Sequence, residues 1–169
     1  MLARFVLRCH DGSWAGADQV GSGATRVRPV VAGDESGRSA VTLLARECAT
    51  FGAGGSLAPA GLWWELQGRP GRVVHAWLAA PAPDAAMPRP CPAGLVSLVV
   101  SAAGGRRRFS IAWLLVHPLA RRGGLGSGLV GIAVMHARSL GAETVHADTL
   151  TSWPEAVAFW HAVGFERLA

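Results

Sequence analysis

The chain has 169 residues and a formal net charge of +5, with 50% of its residues hydrophobic and only 16% charged. That is about one domain's length with enough apolar surface for a single core, and it excludes an intrinsically disordered chain. All 16 basic residues are arginine, and they are scattered except at Arg106 to Arg108 and Arg121 to Arg122, so nucleic acid is not an expected partner.

In chain order, Arg4 to Arg8 has strand character and lacks the apolar core of a signal peptide. His10 to Thr25 is rich in Gly, Ser and Ala and reads as a loop, so residues 1–25 are expected to form a flexible arm ahead of a domain over 26–169. Arg26 to Val31 reads as a short strand. Ser39 to Phe51 reads as a helix, because Val41, Leu44, Ala45 and Cys48 recur at offsets of three, four and seven. Gly52 to Gly61 is expected to be a flexible connection. Leu62 to Gln67 and Val73 to Ala79 read as two strands that turn at Gly68 to Gly71, and the Pro-rich stretch Pro81 to Pro92 reads as a loop. Gly94 to Ser101 and Phe109 to Val116 are two further strands, joined at Gly104 and Gly105.

From Leu125 the period changes to that of a helix. Leu129, Ile132, Ala133, His136 and Leu140 share one face, and Gly141 is a natural stop. Thr144 to Thr149 reads as a strand. Ser152 and Glu155 have the spacing of a capping box, with Pro154 in the first turn of a last helix whose apolar stripe is Ala156, Phe159, Trp160 and Val163. The result is an α/β chain in which the strands ending at Val116 and Thr149 run parallel, as a βαβ crossover demands.

No apolar run approaches the roughly 20 residues that span a bilayer, so no membrane partner is expected. Cys9, Cys48 and Cys91 are odd in number and share no metal-ligand spacing. They suit a reducing compartment, and the expectation is a cytoplasmic protein without a metal site.

The stretch with chemistry is Val116-His117-Pro118-Leu119-Ala120-Arg121-Arg122-Gly123-Gly124-Leu125-Gly126-Ser127-Gly128. A buried strand runs into a Gly-rich turn, and the turn opens a helix. Glycines let the backbone approach a ligand closely, while the first helical amides have no partners inside the helix and carry the positive end of its dipole. Such a site suits a pyrophosphate, and two arginines at its lip add charge. The same kind of turn also occurs where it only reverses the chain. It is neither a Walker A loop, since no G-K-[ST] follows, nor a dinucleotide G-x-G-x-x-G fingerprint.

This stretch closely resembles the acetyl-CoA motif of the GNAT superfamily of N-acetyltransferases, [QR]-x-x-G-x-[GA], with Arg121, Gly124 and Gly126 on its places. Val116 and Pro118 resemble the family's strand end, and Ala156 to Phe165 is similar to its second block, A-x-x-[LF]-Y-x-x-x-G-F. The resemblance implies a mixed, mostly antiparallel sheet with flanking helices, in which a central parallel strand pair splays apart. Acetyl-CoA, as acyl donor, would lie in the gap. Pantetheine would pair with Leu114, Leu115 and Val116, and the pyrophosphate would sit on Arg121, Arg122, Gly123, Gly124, Leu125, Gly126 and Ser127. The acetyl group would pass by direct attack to the amine of a small molecule or peptide. Only four residues follow Phe165, so the family's last strand is either missing or supplied by another segment. Arg4 to Arg8 has the character to supply it, from this chain or from the second subunit of a homodimer.

Three departures bear on activity. The family's Tyr, which often protonates the leaving thiolate, falls on Trp160, and the chain has no Tyr elsewhere. An indole N–H is no general acid. The Asn that often precedes the last helix falls on Trp153, and a general-base Glu of some members falls on Ser110. A thiolate needs little protonation to leave, but an amine with a pKa near 10.4 must lose a proton before it attacks. Asp148 and His146, two apart on one strand face, are the candidates: Asp148 as base or as a brace for nearby loop amides, His146 as partner of that carboxylate. His117 reads as a strand-end cap, His136 as core, His161 as exposed and Glu155 as a helix cap. A protein that binds acyl-CoA as a sensor without performing chemistry is the competing reading.

Overall fold

The computed structural model describes residues 1–9, 26–31, 33–50, 59–81, 87, 90–103 and 105–169. The loop expected over His10 to Thr25, and most of the expected connection Gly52 to Gly61, lie outside the described residues. In order the elements are β1 (Leu2–Arg8), β2 (Val27–Pro29), α1 (Glu35–Thr50), α2 (Pro59–Leu66), β3 (Arg72–Ala79), β4 (Gly94–Ala103), β5 (Arg106–Val116), α3 (Leu125–Ser139), β6 (Thr144–Leu150), α4 (Pro154–Ala162) and β7 (Glu166–Arg167). The strands form one seven-stranded sheet in the order β2-β3-β4-β5-β6-β1-β7.

Apolar side chains alternate along the strands, so each face of the sheet needs a cover. On one face Phe5, Leu98, Phe109, Ile111 and Val145 pack against Leu129, Val130 and Val134 of α3 and Trp160 of α4. On the other face Ala76, Leu78 and Leu95 meet Val41 and Leu44 of α1 and Leu62 and Leu66 of α2.

All neighbouring strands pair antiparallel except β5 and β6, which run parallel as the crossover through α3 requires. That parallel pairing is short. Only Phe109 to Ile111 lie opposite Val145 to Ala147. Beyond it β5 continues to Val116 beside β4, and β6 continues to Leu150 beside β1, so the two strands part. The parting starts at an irregularity in β5. Ser97 is paired with Trp113 and Leu98 with Ile111, which leaves Ala112 as an extra residue. Such a bulge bends its strand and sharpens the local twist. Ser97 is fully buried, and its Oγ accepts the Trp113 N–H at 3.1 Å, which satisfies the amide that the irregularity exposes.

Two local expectations are corrected. Leu62 to Gln67 is not a strand but the body of α2, which begins at Pro59. Leu62 and Leu66, one helical turn apart, are buried against α1. Glu65 holds Arg69 and Arg72 at 2.6 and 2.7 Å, which ties the helix to the start of β3. The turn at Gly68 to Gly71 does form: Arg69 and Arg72 exchange backbone hydrogen bonds of 2.9 and 2.8 Å around Pro70 and Gly71, whose φ is 76°. It joins a helix to a strand. The capping box at Ser152 and Glu155 also does not form. Trp153 is the residue that precedes α4, it makes no side-chain cap bond, and Pro154 occupies the first turn. Pro lacks an N–H, so the first helical position presents no unpartnered amide.

At the far edge, β1 pairs along its whole length with β6, and the two-residue β7 adds to β1. The N-terminal strand therefore fills the position beside β6 from within the chain, and a second copy is not needed to supply it.

Candidate active site

The candidate loop begins where β5 ends. Val116 leads into buried His117, whose Nδ1 accepts the Leu119 N–H at 3.2 Å and so caps the short 3-10 turn Pro118–Ala120. The strand-end role expected of His117 is the one observed, and its Nε2 lies 3.8 Å from the Glu47 carboxylate of α1. Arg121 folds back, its Nε–H donating to the Val116 carbonyl at 3.2 Å. Arg122 and Gly124 both take positive φ, 66° and 79°. Gly124 immediately precedes α3, and among the described residues no side chain caps that helix end. No acidic residue stands in the first turn of α3, so nothing there competes for an anion.

The glycines of the loop have different duties. A Cβ on Gly123 would meet nothing within 4 Å. A Cβ on Gly126 would meet the ring of Phe159 at 3.2 Å and Val116 at 3.6 Å, so this glycine lets α4 approach the start of α3. Leu114, Leu115 and Val116 lie on the part of β5 that has left β6, all half-buried, with Leu125, Gly126 and Ser127 on the first turn of α3 beside them.

A cavity of about 430 Å³ opens on the α1–α2 side of the sheet where the strands part, lined by Ser110, Ala112, His146 and Asp148 among others. Asp148 is exposed, and among the described residues its carboxylate makes no hydrogen bond, so the bracing role has no contact to rest on. The expected partnership of His146 with Asp148 is not formed either. His146 Nε2 lies 3.4 Å from Thr144 Oγ1, and its buried Nδ1 has no partner. Partial burial, helped by the Arg108 charge, holds the His146 pKa below the ordinary 6.5 against an opposing pull from Asp148. The imidazole is therefore neutral at neutral pH and can accept a proton.

Trp160 does not reach this cavity. It is buried in the core, edge-on to Phe159 and Phe165 at 5.3 and 5.0 Å. His136 is half-buried with its ring 4.4 Å from His75 and 5.2 Å from Trp77, His161 is exposed, and Glu155 is exposed without capping the helix. Cys48 of α1 packs under the loop, its Sγ 3.7 Å from the Val116 carbonyl. Burial raises its pKa and that of Cys91, the latter to about 11, so both stay thiols rather than nucleophiles. Sequence reasoning missed Arg4, Arg72, Arg108 and Ser101, which also line the cavity. Only the register across five strands brings them together.

The family model described as "Acetyltransferase (GNAT) family" matches residues 41–165. No curated protein matches the chain. Among solved structures, an acetyltransferase assigned to the GNAT family from Desulfovibrio desulfuricans aligns at TM-score 0.64 and 19% identity, over 86% of this chain and 87% of its own. An aminoglycoside N-acetyltransferase, AAC(6')-Iy, in complex with CoA aligns at TM-score 0.61 and 13% identity, over 86% of this chain and 90% of its own. A tandem GNAT protein from the clavulanic acid biosynthesis pathway aligns at TM-score 0.66 and 19% identity, over 98% of this chain and 50% of its own. At these identities the structural likeness speaks for the fold.

Proposed function

The chain belongs to the acetyltransferase (GNAT) family, and from that premise we propose that it moves an acetyl group from acetyl-CoA to an amine by direct attack. The observation that carries the reading is the uncapped start of α3, set at the mouth of the gap between β5 and β6. Its free amides and Arg122 suit a pyrophosphate, and the gap leaves β5 main chain beyond Ile111 without a β6 partner. Pantetheine along Leu114 to Val116 would bring the thioester toward the cavity at Ala112.

In the reaction the amine nitrogen attacks the thioester carbonyl carbon, a C–N bond forms, the C–S bond breaks and CoA leaves as thiolate. Before attack the acceptor ammonium gives one proton to Asp148, directly or through water, with neutral His146 beside it to accept or relay. The second proton leaves the nitrogen as the C–S bond breaks and passes to the departing thiolate or to solvent. No buried cysteine is ionised to form an acyl intermediate, which favours direct transfer. Rate enhancement then comes from positioning. Three unpaired cysteines suit a reducing compartment, and we place the reaction in the cytoplasm.

One observation favours a second reading. Trp160 stands where many relatives carry an acid, and it is buried in the core away from the cavity. A binding-only protein would need no such acid. Free thiol released from acetyl-CoA only in the presence of an amine supports transfer, whereas CoA binding without thiol release supports the sensor.

A further inference from the structure

The cavity at the parting of β5 and β6 is more cationic than an amine acceptor alone requires. Cross-strand register places Arg4 opposite Asp148, and Arg108 opposite Ser101, which in turn lies opposite Arg72. All three guanidinium side chains line the cavity. Arg72 shares the Glu65 carboxylate with Arg69, at 2.7 and 2.6 Å. The guanidinium groups of Arg4 and Arg108 make no ion pair or hydrogen bond among the described residues. The lining therefore holds two uncompensated cations against one carboxylate, Asp148, while His146 adds no charge at neutral pH.

An acceptor amine arrives as an ammonium, since its pKa is near 10. A molecule whose only charge is that ammonium gains Asp148 but is repelled by Arg4 and Arg108, and a polycation is repelled more strongly. A molecule that also carries an anion resolves the conflict. Its ammonium goes to Asp148 and His146, and its carboxylate or phosphate goes to the arginines, whose planar forks bind such groups in pairs of hydrogen bonds.

We propose that the acceptor is an amine bearing its own carboxylate or phosphate, with Arg4 and Arg108 as the specificity-determining residues. The proposal rests on the acetyl-transfer reading of the same site, and it disfavours polycationic acceptors such as aminoglycosides or polyamines.

The test sets each proteinogenic amino acid against its amide, and phosphoethanolamine against ethanolamine, with acetyl-CoA and a thiol-release readout. At least one anionic member should exceed its uncharged counterpart by tenfold or more in kcat/KM, and the series that responds names the anion. The Arg4→Gln, Arg108→Gln double variant should bring that ratio close to one, mainly through KM. Equal or better turnover of the uncharged members, or a preference that survives the double variant, overturns the proposal. If no amine releases thiol, the acetyl-transfer reading fails by itself. Calorimetry of the same compounds on CoA-loaded protein then decides the anion site: arginine-dependent binding of an anionic member supports it, and its absence overturns it.

Discussion

At the level of single residues, the glycines of the loop separate ligand approach from folding. Gly124 sits in the left-handed region and Gly126 makes room for Phe159, so substitution at either disturbs the chain itself. Gly123 is free of both constraints. Gly123→Val should leave the melting temperature nearly unchanged and weaken CoA by tenfold or more, because a Cβ there meets no described residue within 4 Å and, on the proposed reading, faces the ligand's side of the loop. Gly126→Val should lose stability as well. Unchanged CoA affinity in the Gly123 variant, measured by calorimetry, would remove the loop from the site. The proton acceptor gives a second test. His146 is held below 6.5 by burial first and Arg108 second, with Asp148 pulling the other way. An NMR titration should therefore find it below 6.5, higher in Arg108→Gln and lower in Asp148→Asn. A value at or above 6.5 in the unaltered protein contradicts the assigned environment.

At the level of elements, the gap depends on how β5 leaves β6. Ser97→Ala should cost about 1 to 3 kcal/mol, because it leaves the part-buried Trp113 amide without its acceptor at the point where Ala112 is inserted. Denaturant unfolding reads the loss directly, and a variant as stable as the parent would mean that the amide finds another partner. The irregularity itself was not legible in the sequence. Ala112 has no mark that distinguishes it from its neighbours, and a bulge shows only when two strands are laid in register. The strand–turn–helix from Phe109 to Ser139 was legible, since apolar runs, glycines and helical period agree over a long stretch. The Leu62 to Gln67 segment was not, because six residues with two tryptophans satisfy a strand and a helix about equally. The spacing of Leu62 to Leu66 and of Glu65 to Arg69 was the available helical signal. Helix α1 starts at Glu35, four residues before the expected start at Ser39, because the Asp34 carboxylate accepts amides of Ser36 and Gly37 while Arg28 holds it ionised.

At the level of the whole molecule, the sheet gathers its site from distant parts of the sequence. Arg4 stands at the start of the chain and Asp148 near its end, yet they face each other across β1 and β6. The CoA loop could be read as a motif because its chemistry lies in consecutive backbone. The acceptor side could be read only in part, through Asp148 and His146, because its lining comes from five strands. The central claim joins the two: a donor held at the start of α3 delivers acetyl to an amine in the cavity at Ala112. The most direct measurement is free-thiol release from acetyl-CoA by the purified protein across a broad amine panel, with CoA binding followed calorimetrically on the same preparation. Saturable CoA binding, with thiol appearing only when an amine is added and in step with acetylated product, is the expected result. Saturable binding with no amine-dependent thiol from any acceptor, anionic, neutral or cationic, would contradict the transferase and leave the CoA sensor in its place.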